Sequence, residues 1–124
     1  MSTNGASPLV CVVDDDLLVR ESVEGLLRED GFQVDSFESA ESFLGRPRPE
    51  PPACLIVDLM LPGMSGLELH QELGRTGLDA PVILLTGWGQ RLMAANDIPP
   101  HVDKVLSKPP RLSELRAALS ELVL

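Results

Sequence analysis

Five residues with charged or hydroxyl side chains follow or end apolar segments of the chain, and their types suit chemistry on a phosphate group. They are Asp14, Asp15, Asp58, Thr86 and Lys108. Carboxylates that lie together repel one another and raise one another's pKa values unless a cation neutralises them. Mg2+ is a hard cation that takes one or two carboxylates together with waters and phosphate oxygens. The three aspartates therefore predict a magnesium site if the fold brings them together.

Each of the other chemical groups has an expected role in phosphoryl transfer at such a site. The Asp58 carboxylate is the expected nucleophile because an aspartate can attack phosphorus and form an acyl phosphate. Lys108 would stabilise negative charge on the phosphoryl oxygens, and the Thr86 hydroxyl could donate a hydrogen bond to one of them. Acidic residues are also common in loops after strands, so each aspartate alone has a purely structural interpretation. The five residues together favour phosphoryl transfer.

Short apolar runs alternate with segments of helical periodicity, and these elements must position the five residues. Strands are predicted at Leu9–Val13, Phe32–Phe37, Cys54–Val57, Pro81–Thr86 and Val102–Leu106. Helices are predicted at Leu17–Asp30, in a short segment with Ala40, Phe43 and Leu44, through Leu67, Leu69 and Leu73 up to Gly74 and Gly77, and through Leu112, Leu115, Leu119 and Leu122. Asp16 and Ser39 are the expected helix N-caps. The proline-rich segment 46–52 predicts a rigid loop, with a PxxP ligand for an SH3 domain as the less favoured interpretation.

Strands that alternate with helices predict an α/β fold with a doubly wound parallel sheet. Right-handed crossovers place the connecting helices on both faces of such a sheet. Ligands bind at the carboxyl ends of the strands, near the point where the winding reverses. The residues that follow the predicted strands are therefore expected to meet at one edge of the sheet.

Length and composition exclude several classes of protein. The chain has 124 residues, enough for one domain, which we predict at residues 9–124 after a flexible tail at 1–8. A net charge of −9 offers no basic surface for a nucleic-acid backbone. The longest apolar runs, such as Leu9–Val13, are too short for a membrane span, and the N-terminus has no signal-peptide pattern, so a cytoplasmic location is expected. Cys11 and Cys54 are predicted to be buried free thiols.

Four sequence blocks in this order resemble the receiver domain of two-component response regulators. They are VVDDD at 12–16, VDLMLPGMSG at 57–66, LLTG at 84–87 and SKP at 107–109. The resemblance extends from about Leu9 to the C-terminus. It implies a flavodoxin-like, five-stranded parallel sheet in the order 2-1-3-4-5 with helices on both faces.

The resemblance also implies roles for individual residues. Asp58 would be the phosphoacceptor, and Asp15, Asp58 and the main-chain carbonyl of Met60 would bind Mg2+ directly, with Asp14 acting through water. Thr86 and Lys108 would contact the phosphoryl group, and the Lys108–Pro109 peptide is similar to one that is usually cis in the family. The donor would be a histidine kinase or a histidine phosphotransfer protein. The domain would be a monomer or weak dimer that binds no nucleic acid or membrane directly, and a switch rather than an enzyme, since it acts only on its own aspartate.

Two features depart from the family pattern, and two further residues bear on the lifetime of the aspartyl phosphate. Val105 stands where receiver domains commonly carry an aromatic residue that couples phosphorylation to the output surface. Pro99 and Pro100 predict a shortened or irregular fourth helix before the last strand. The resemblance implies that the residues two beyond the phosphoacceptor and two beyond the threonine border the path of the hydrolytic water. Here they are Met60 and Trp88, which are large and apolar and cannot orient a water molecule, so slow self-hydrolysis of the aspartyl phosphate is expected.

Other functions are considered beside this one. A phosphohydrolase of the haloacid-dehalogenase kind would need an acid two residues after the nucleophile, where this chain has Met60. A flavin-binding module would need a phosphate-binding loop after the first strand, where three aspartates stand instead. A receiver-like docking domain that is never phosphorylated is a third alternative. The sequence leaves open whether the domain is free-standing or part of a larger regulator or hybrid kinase.

Overall fold

The protein forms an α/β domain with nine regular elements in its described part. The computed structural model describes residues 8–46, 52–76, 80–87, 104–108 and 110–123. The elements in chain order are β1 (Leu9–Val13), α1 (Leu17–Glu29), β2 (Gln33–Phe37), α2 (Ala40–Leu44), β3 (Cys54–Asp58), α3 (Gly66–Thr76), β4 (Val82–Thr86), β5 (Lys104–Ser107) and α4 (Leu112–Leu122).

The five strands form one parallel sheet in the order β2-β1-β3-β4-β5. This is the predicted flavodoxin-like topology, and the fold prediction is confirmed. The winding of the sheet reverses between β1 and β3, because β2 follows β1 on one side while β3, β4 and β5 extend the sheet on the other. The carboxyl ends of β1, β3 and β4 therefore lie side by side at the reversal point, where doubly wound proteins bind ligands.

Two hydrophobic cores cover the two faces of the sheet. Alternate residues of β1 divide between them, with Cys11 and Val13 in the core under α2 and α3, and Val10 and Val12 in the core under α1 and α4. Phe43 of α2 is fully buried in the first of these cores. The helices thus lie on both faces, as the apolar runs of the strands predict.

The predicted helix N-caps at Asp16 and Ser39 are confirmed, whereas the predicted end of the third helix is wrong in part. The Asp16 side chain accepts hydrogen bonds from the amides of Leu18 and Val19, at 2.9 and 3.5 Å. Ser39 caps α2 through the amide of Ser42, at 3.0 Å. The third helix is predicted to end at Gly74 and Gly77, and the part of this expectation that concerns Gly74 is wrong, because α3 continues to Thr76, the residue before Gly77. A glycine on an exposed helix face weakens the helix by only about 1 kcal/mol and does not terminate it.

Several predictions concern residues outside the described part of the chain. They are the flexible tail up to residue 7, the PxxP segment, the shortened helix before β5 with Pro99 and Pro100, the position of Trp88 and the Lys108–Pro109 peptide. Cys11 and Cys54 are buried thiols that are not joined in a disulfide, as predicted. Burial raises the pKa of the Cys11 thiol to about 11, so it stays protonated and unreactive.

Among the residues that the structure describes, the helices are all too short or too polar to span a lipid bilayer.

Candidate functional site

Asp58 is the last residue of β3, and its carboxylate is held in place from two sides. Asp58 is buried, with only 4% of its surface exposed to solvent. The main chain beyond it stays paired with the neighbouring strand, since the Leu59 amide donates to the Leu85 carbonyl at 2.8 Å. The Met60 amide donates to Asp58 Oδ1 at 3.0 Å, and Lys108 Nζ lies 3.0 Å from Oδ2. One carboxylate is thus oriented by a backbone donor and by a cation.

Asp14 and Asp15 follow β1 and lie beside Asp58. Carboxylate oxygens of these three aspartates all lie within 4.8 Å of one another. Asp14 is fully buried, and its Oδ1 accepts a hydrogen bond from the Asp16 amide at 2.8 Å. The Arg20 guanidinium donates to the Asp14 carbonyl at 2.6 Å, which ties α1 to this turn. Asp15, unlike Asp14 and Asp58, is exposed to solvent.

Lys108 connects the end of β5 to the acidic cluster, by which we mean Asp14, Asp15 and Asp58. Its Nζ lies 3.1 Å from Asp14 Oδ2 as well as 3.0 Å from Asp58 Oδ2. Burial alone would lower the pKa of this ammonium, but the hydrogen bonds to Asp58 and Asp14 outweigh burial and raise the pKa above its usual value. Lys108 therefore stays charged. Its amide donates to the carbonyl of Thr86, the buried last residue of β4, at 2.9 Å.

The acidic cluster has the properties of a site for a divalent cation. Three carboxylates share one ammonium among the described residues, so the group carries two negative charges in excess. Asp14 Oδ2 is buried and, despite its 3.1 Å approach to Lys108, has no hydrogen bond of acceptable geometry within the described part of the chain. Burial is the largest cause that raises the pKa of Asp14. A hard cation would relieve the repulsion and satisfy this oxygen, so the donor set fits Mg2+.

Removing one charge from the acidic cluster should stabilise the cation-free domain. We expect Asp14→Asn to raise the free energy of unfolding by about 1 kcal/mol in EDTA, because the neutral amide avoids the cost of burying a charge and the repulsion by Asp58, which together exceed the lost attraction to Lys108, while the amide oxygen retains the bond from Asp16. Added Mg2+ should then stabilise the variant less than the wild type. Urea titrations with EDTA and with Mg2+ measure both effects. A variant less stable than the wild type in EDTA would contradict this account of the cluster.

Gly66 is a site residue whose role the sequence did not reveal. It is the first residue of α3, and a Cβ atom there would lie only 2.4 Å from the Asp58 carbonyl oxygen and 3.1 Å from Leu59 Cα. The start of α3 therefore packs directly on the backbone of the candidate nucleophile. Glycine in the block at 57–66 was a visible signal, but its reason is a close tertiary approach that spacing alone does not predict.

Met60 and Val105 are the two described residues for which the sequence predicts unusual behaviour, in phosphate lifetime and in coupling to the output surface. Met60 is 60% exposed, and its backbone amide, not its side chain, contacts Asp58. Val105 pairs in register with Leu84 on β4 and packs, half-buried, against the core under α2 and α3. A valine at this place has no ring to rotate. The expectation of an altered coupling to the output surface therefore stays a prediction.

Comparison with known proteins identifies the family. The sequence profile described as "Response regulator receiver domain" matches residues 10–120. The chain belongs to the response regulator receiver domain family. Nodulation protein W of Bradyrhizobium diazoefficiens is 38% identical over 111 residues, which cover 90% of this chain and 49% of that protein. The chain spans about half the length of the curated relatives it matches.

Solved receiver structures agree with this assignment. The response regulator StyR superposes with a TM-score of 0.84 at 37% identity, over 95% of this chain and 60% of that one. The structure named FixJ-N gives a TM-score of 0.82 at 32% identity, over 94% of both chains. The receiver fold thus extends over nearly the whole of this chain.

Proposed function

We propose that this receiver domain accepts a phosphoryl group on Asp58 from the phosphohistidine of a partner protein and then changes its protein-binding surface. The observation that carries the proposal is the placement of Asp58. Its carboxylate lies at the reversal point of the sheet, within 4.8 Å of the carboxylates of Asp14 and Asp15 and 3.0 Å from Lys108 Nζ. A nucleophile, a cation and a candidate divalent-metal site thus occupy one place.

The metal proposed for this site is Mg2+. Asp15, Asp58 and the main-chain carbonyl of Met60 would bind it directly, and Asp14 would do so through water. Bound Mg2+ supplies positive charge that neutralises the carboxylates and the oxygens of the incoming phosphoryl group. The acidic cluster and its unsatisfied Asp14 oxygen support this assignment.

In the proposed reaction the protein supplies the nucleophile and the positive charge. An Asp58 oxygen forms a bond to phosphorus while the bond between phosphorus and the donor's imidazole nitrogen breaks, and the electron pair of that bond stays on the nitrogen. The Lys108 ammonium stabilises the charge on the phosphoryl oxygens, and the Thr86 hydroxyl donates to one of them. Hydrolysis later removes the group from Asp58. The domain acts only on its own side chain, so we propose a switch rather than an enzyme with a separate substrate.

The partners follow from this chemistry. A histidine kinase or a histidine phosphotransfer protein would donate the phosphoryl group in the cytoplasm. The domain would work as a monomer or weak dimer without direct contact to nucleic acid or membrane. A net charge of −9 supports the absence of nucleic-acid binding.

Asp58→Asn tests the proposed phosphoacceptor. We expect the wild-type domain, incubated with acetyl phosphate and Mg2+, to gain the mass of one phosphoryl group, and the variant to gain none, because an amide is not a nucleophile toward phosphorus. Intact-mass spectrometry measures the adduct. Asp35→Asn is the matched control, since Asp35 is an exposed aspartate on β2. An adduct on the Asp58→Asn variant, or on the wild type in EDTA, would contradict the proposal.

Met60 provides a test of the proposed slow hydrolysis. Its side chain is exposed two residues after Asp58 and cannot orient water, so Met60→Glu should shorten the lifetime of the aspartyl phosphate roughly tenfold. The decay of the mass adduct after removal of the donor measures the lifetime. Leu44→Glu introduces the same charge at an exposed leucine on α2 and should leave the lifetime unchanged. Equal lifetimes for Met60→Glu and the wild type would contradict the idea.

A further inference from the structure

The loop between β3 and α3, residues 59–65, carries Met60 and is fixed at both of its ends. At its start the Leu59 amide donates to Leu85, as described above. At its end Ser65 and Glu68 form reciprocal bonds between side chain and backbone, at 2.9 and 3.1 Å. The exposed turn at Pro62 and Gly63 lies between these ends and packs on little of the core. Leu61 is buried in the core under α2 and α3, and Met64 packs against the same core, so the exposed turn between them is the part of the loop that a further contact can hold.

Glu41, on the first turn of α2, makes that contact. Its Oε2 accepts a hydrogen bond from the Met64 amide at 3.2 Å, across 23 positions of sequence. A Cβ atom on Gly63 would lie 3.0 Å from the same oxygen, and Gly63 has a φ of 73°. The glycine thus allows both the turn and the close approach of the carboxylate.

The α2 helix, which carries Glu41, is held in place by its packing on the core. Phe43, two residues further along α2, is fully buried, and its ring meets Phe37 edge-on with the ring centroids 5.5 Å apart. The Arg46 guanidinium covers the same ring at 4.1 Å. Because α2 is fixed by the core, Glu41 connects the middle of the loop to the body of the domain.

We propose that Glu41 is a positioning residue for the metal site: it holds the loop at residues 59–65 so that the Met60 carbonyl keeps its place for Mg2+. This inference rests on the proposed function. Glu41 contacts neither the metal nor the phosphoryl group and acts through the hydrogen bond to Met64. Loss of the bond frees the turn at 62–64 and lowers the affinity for Mg2+.

A different account of Glu41 is that its negative charge attracts the cation through space. Glu41→Gln separates the two accounts, because the amide retains an oxygen that accepts the Met64 bond but carries no charge. Glu41→Ala removes both the acceptor and the charge. Glu38→Ala is the matched control, since Glu38 is an exposed glutamate just before α2.

The experiment measures the Mg2+ dissociation constant of the four proteins by calorimetry and the hydrogen exchange of the Met64 amide by NMR, without any phosphodonor. We expect Glu41→Ala to weaken Mg2+ binding about fivefold and to speed the exchange of the Met64 amide, as the loss of one hydrogen bond predicts. Glu41→Gln and Glu38→Ala should both stay within about twofold of the wild type. Urea titrations establish that each variant is folded under these conditions.

The outcomes distinguish this inference from the proposed function. Wild-type affinity in Glu41→Ala would overturn the role of Glu41 and leave the metal site intact. A loss in Glu41→Gln as large as that in Glu41→Ala would overturn positioning in favour of through-space attraction. Absence of Mg2+ binding by the wild type would overturn the proposed metal site and this inference with it.

Discussion

Gly66→Ala is expected to lower the free energy of unfolding by about 3 kcal/mol, at the upper end of what overpacking a close contact costs. The added Cβ would lie 2.4 Å from the Asp58 carbonyl oxygen, and the atoms it meets belong to backbone that cannot turn aside like a flexible side chain. Either α3 or the end of β3 must move. Since Asp58 ends β3, the rate of phosphorylation by acetyl phosphate should fall as well. Urea unfolding and intact-mass time courses measure the two effects.

Gly74→Ala is the matched control for this prediction. Gly74 lies in the same helix, and a Cβ atom there would meet nothing within 4 Å. Because alanine is the better helix former, this variant should be more stable than the wild type by about 0.5–1 kcal/mol. A Gly66→Ala variant with wild-type stability would contradict the close packing of α3 on the Asp58 backbone.

Lys108→Met is expected to lower the free energy of unfolding by about 3 kcal/mol at neutral pH in EDTA. The ammonium is the cation that lies against the buried carboxylates of Asp14 and Asp58, at 3.1 and 3.0 Å. Removing one partner of a buried ion pair leaves uncompensated charge, which costs several kcal/mol. Lys104→Met removes the lysine of an exposed pair with Glu121 and should change the stability by less than about 1 kcal/mol.

The loss in Lys108→Met should depend on pH in a defined direction. Burial already raises the pKa of Asp14 above its ordinary value of 3.8, and loss of the ammonium removes a group that lowers it. The folded variant therefore binds more protons than the unfolded chain above pH 3.8, so its stability falls as the pH rises through the raised pKa. Urea titrations at about pH 5 and pH 7.5 should give the larger loss at the higher pH. A loss independent of pH would contradict the charge explanation.

The sequence predicts the fold well because β1, β3 and β4 are short apolar runs that end at, or directly before, a chemically distinct residue. Asp14 and Lys108 are 94 positions apart, yet a parallel sheet must bring the ends of its strands to one edge. The predicted cap at Asp16 is confirmed for a local reason, since its partners are two and three residues away. Periodicity and capping are local signals that a single sequence contains.

The features that the sequence did not predict depend on tertiary packing. Gly74 suggested a helix end, but its helix is held by the burial of Leu69 and Leu73 and continues past it. The close approach of Gly66 to the Asp58 carbonyl depends on how α3 docks on β3. The bond from Met64 to Glu41 joins two elements that no local pattern connects. Such contacts are fixed by three-dimensional placement, which composition and periodicity do not contain.

Direct mapping of the phosphorylated residue tests the central proposal, that Asp58 is the phosphoacceptor. The wild-type domain is phosphorylated with acetyl phosphate and Mg2+ and reduced with borohydride, which converts an aspartyl phosphate to homoserine, and its peptides are sequenced by mass spectrometry. We predict homoserine at position 58, with Asp14 and Asp15 unchanged. Homoserine at another aspartate, or phosphate retained on a serine or threonine with position 58 unmodified, would contradict the assignment of Asp58.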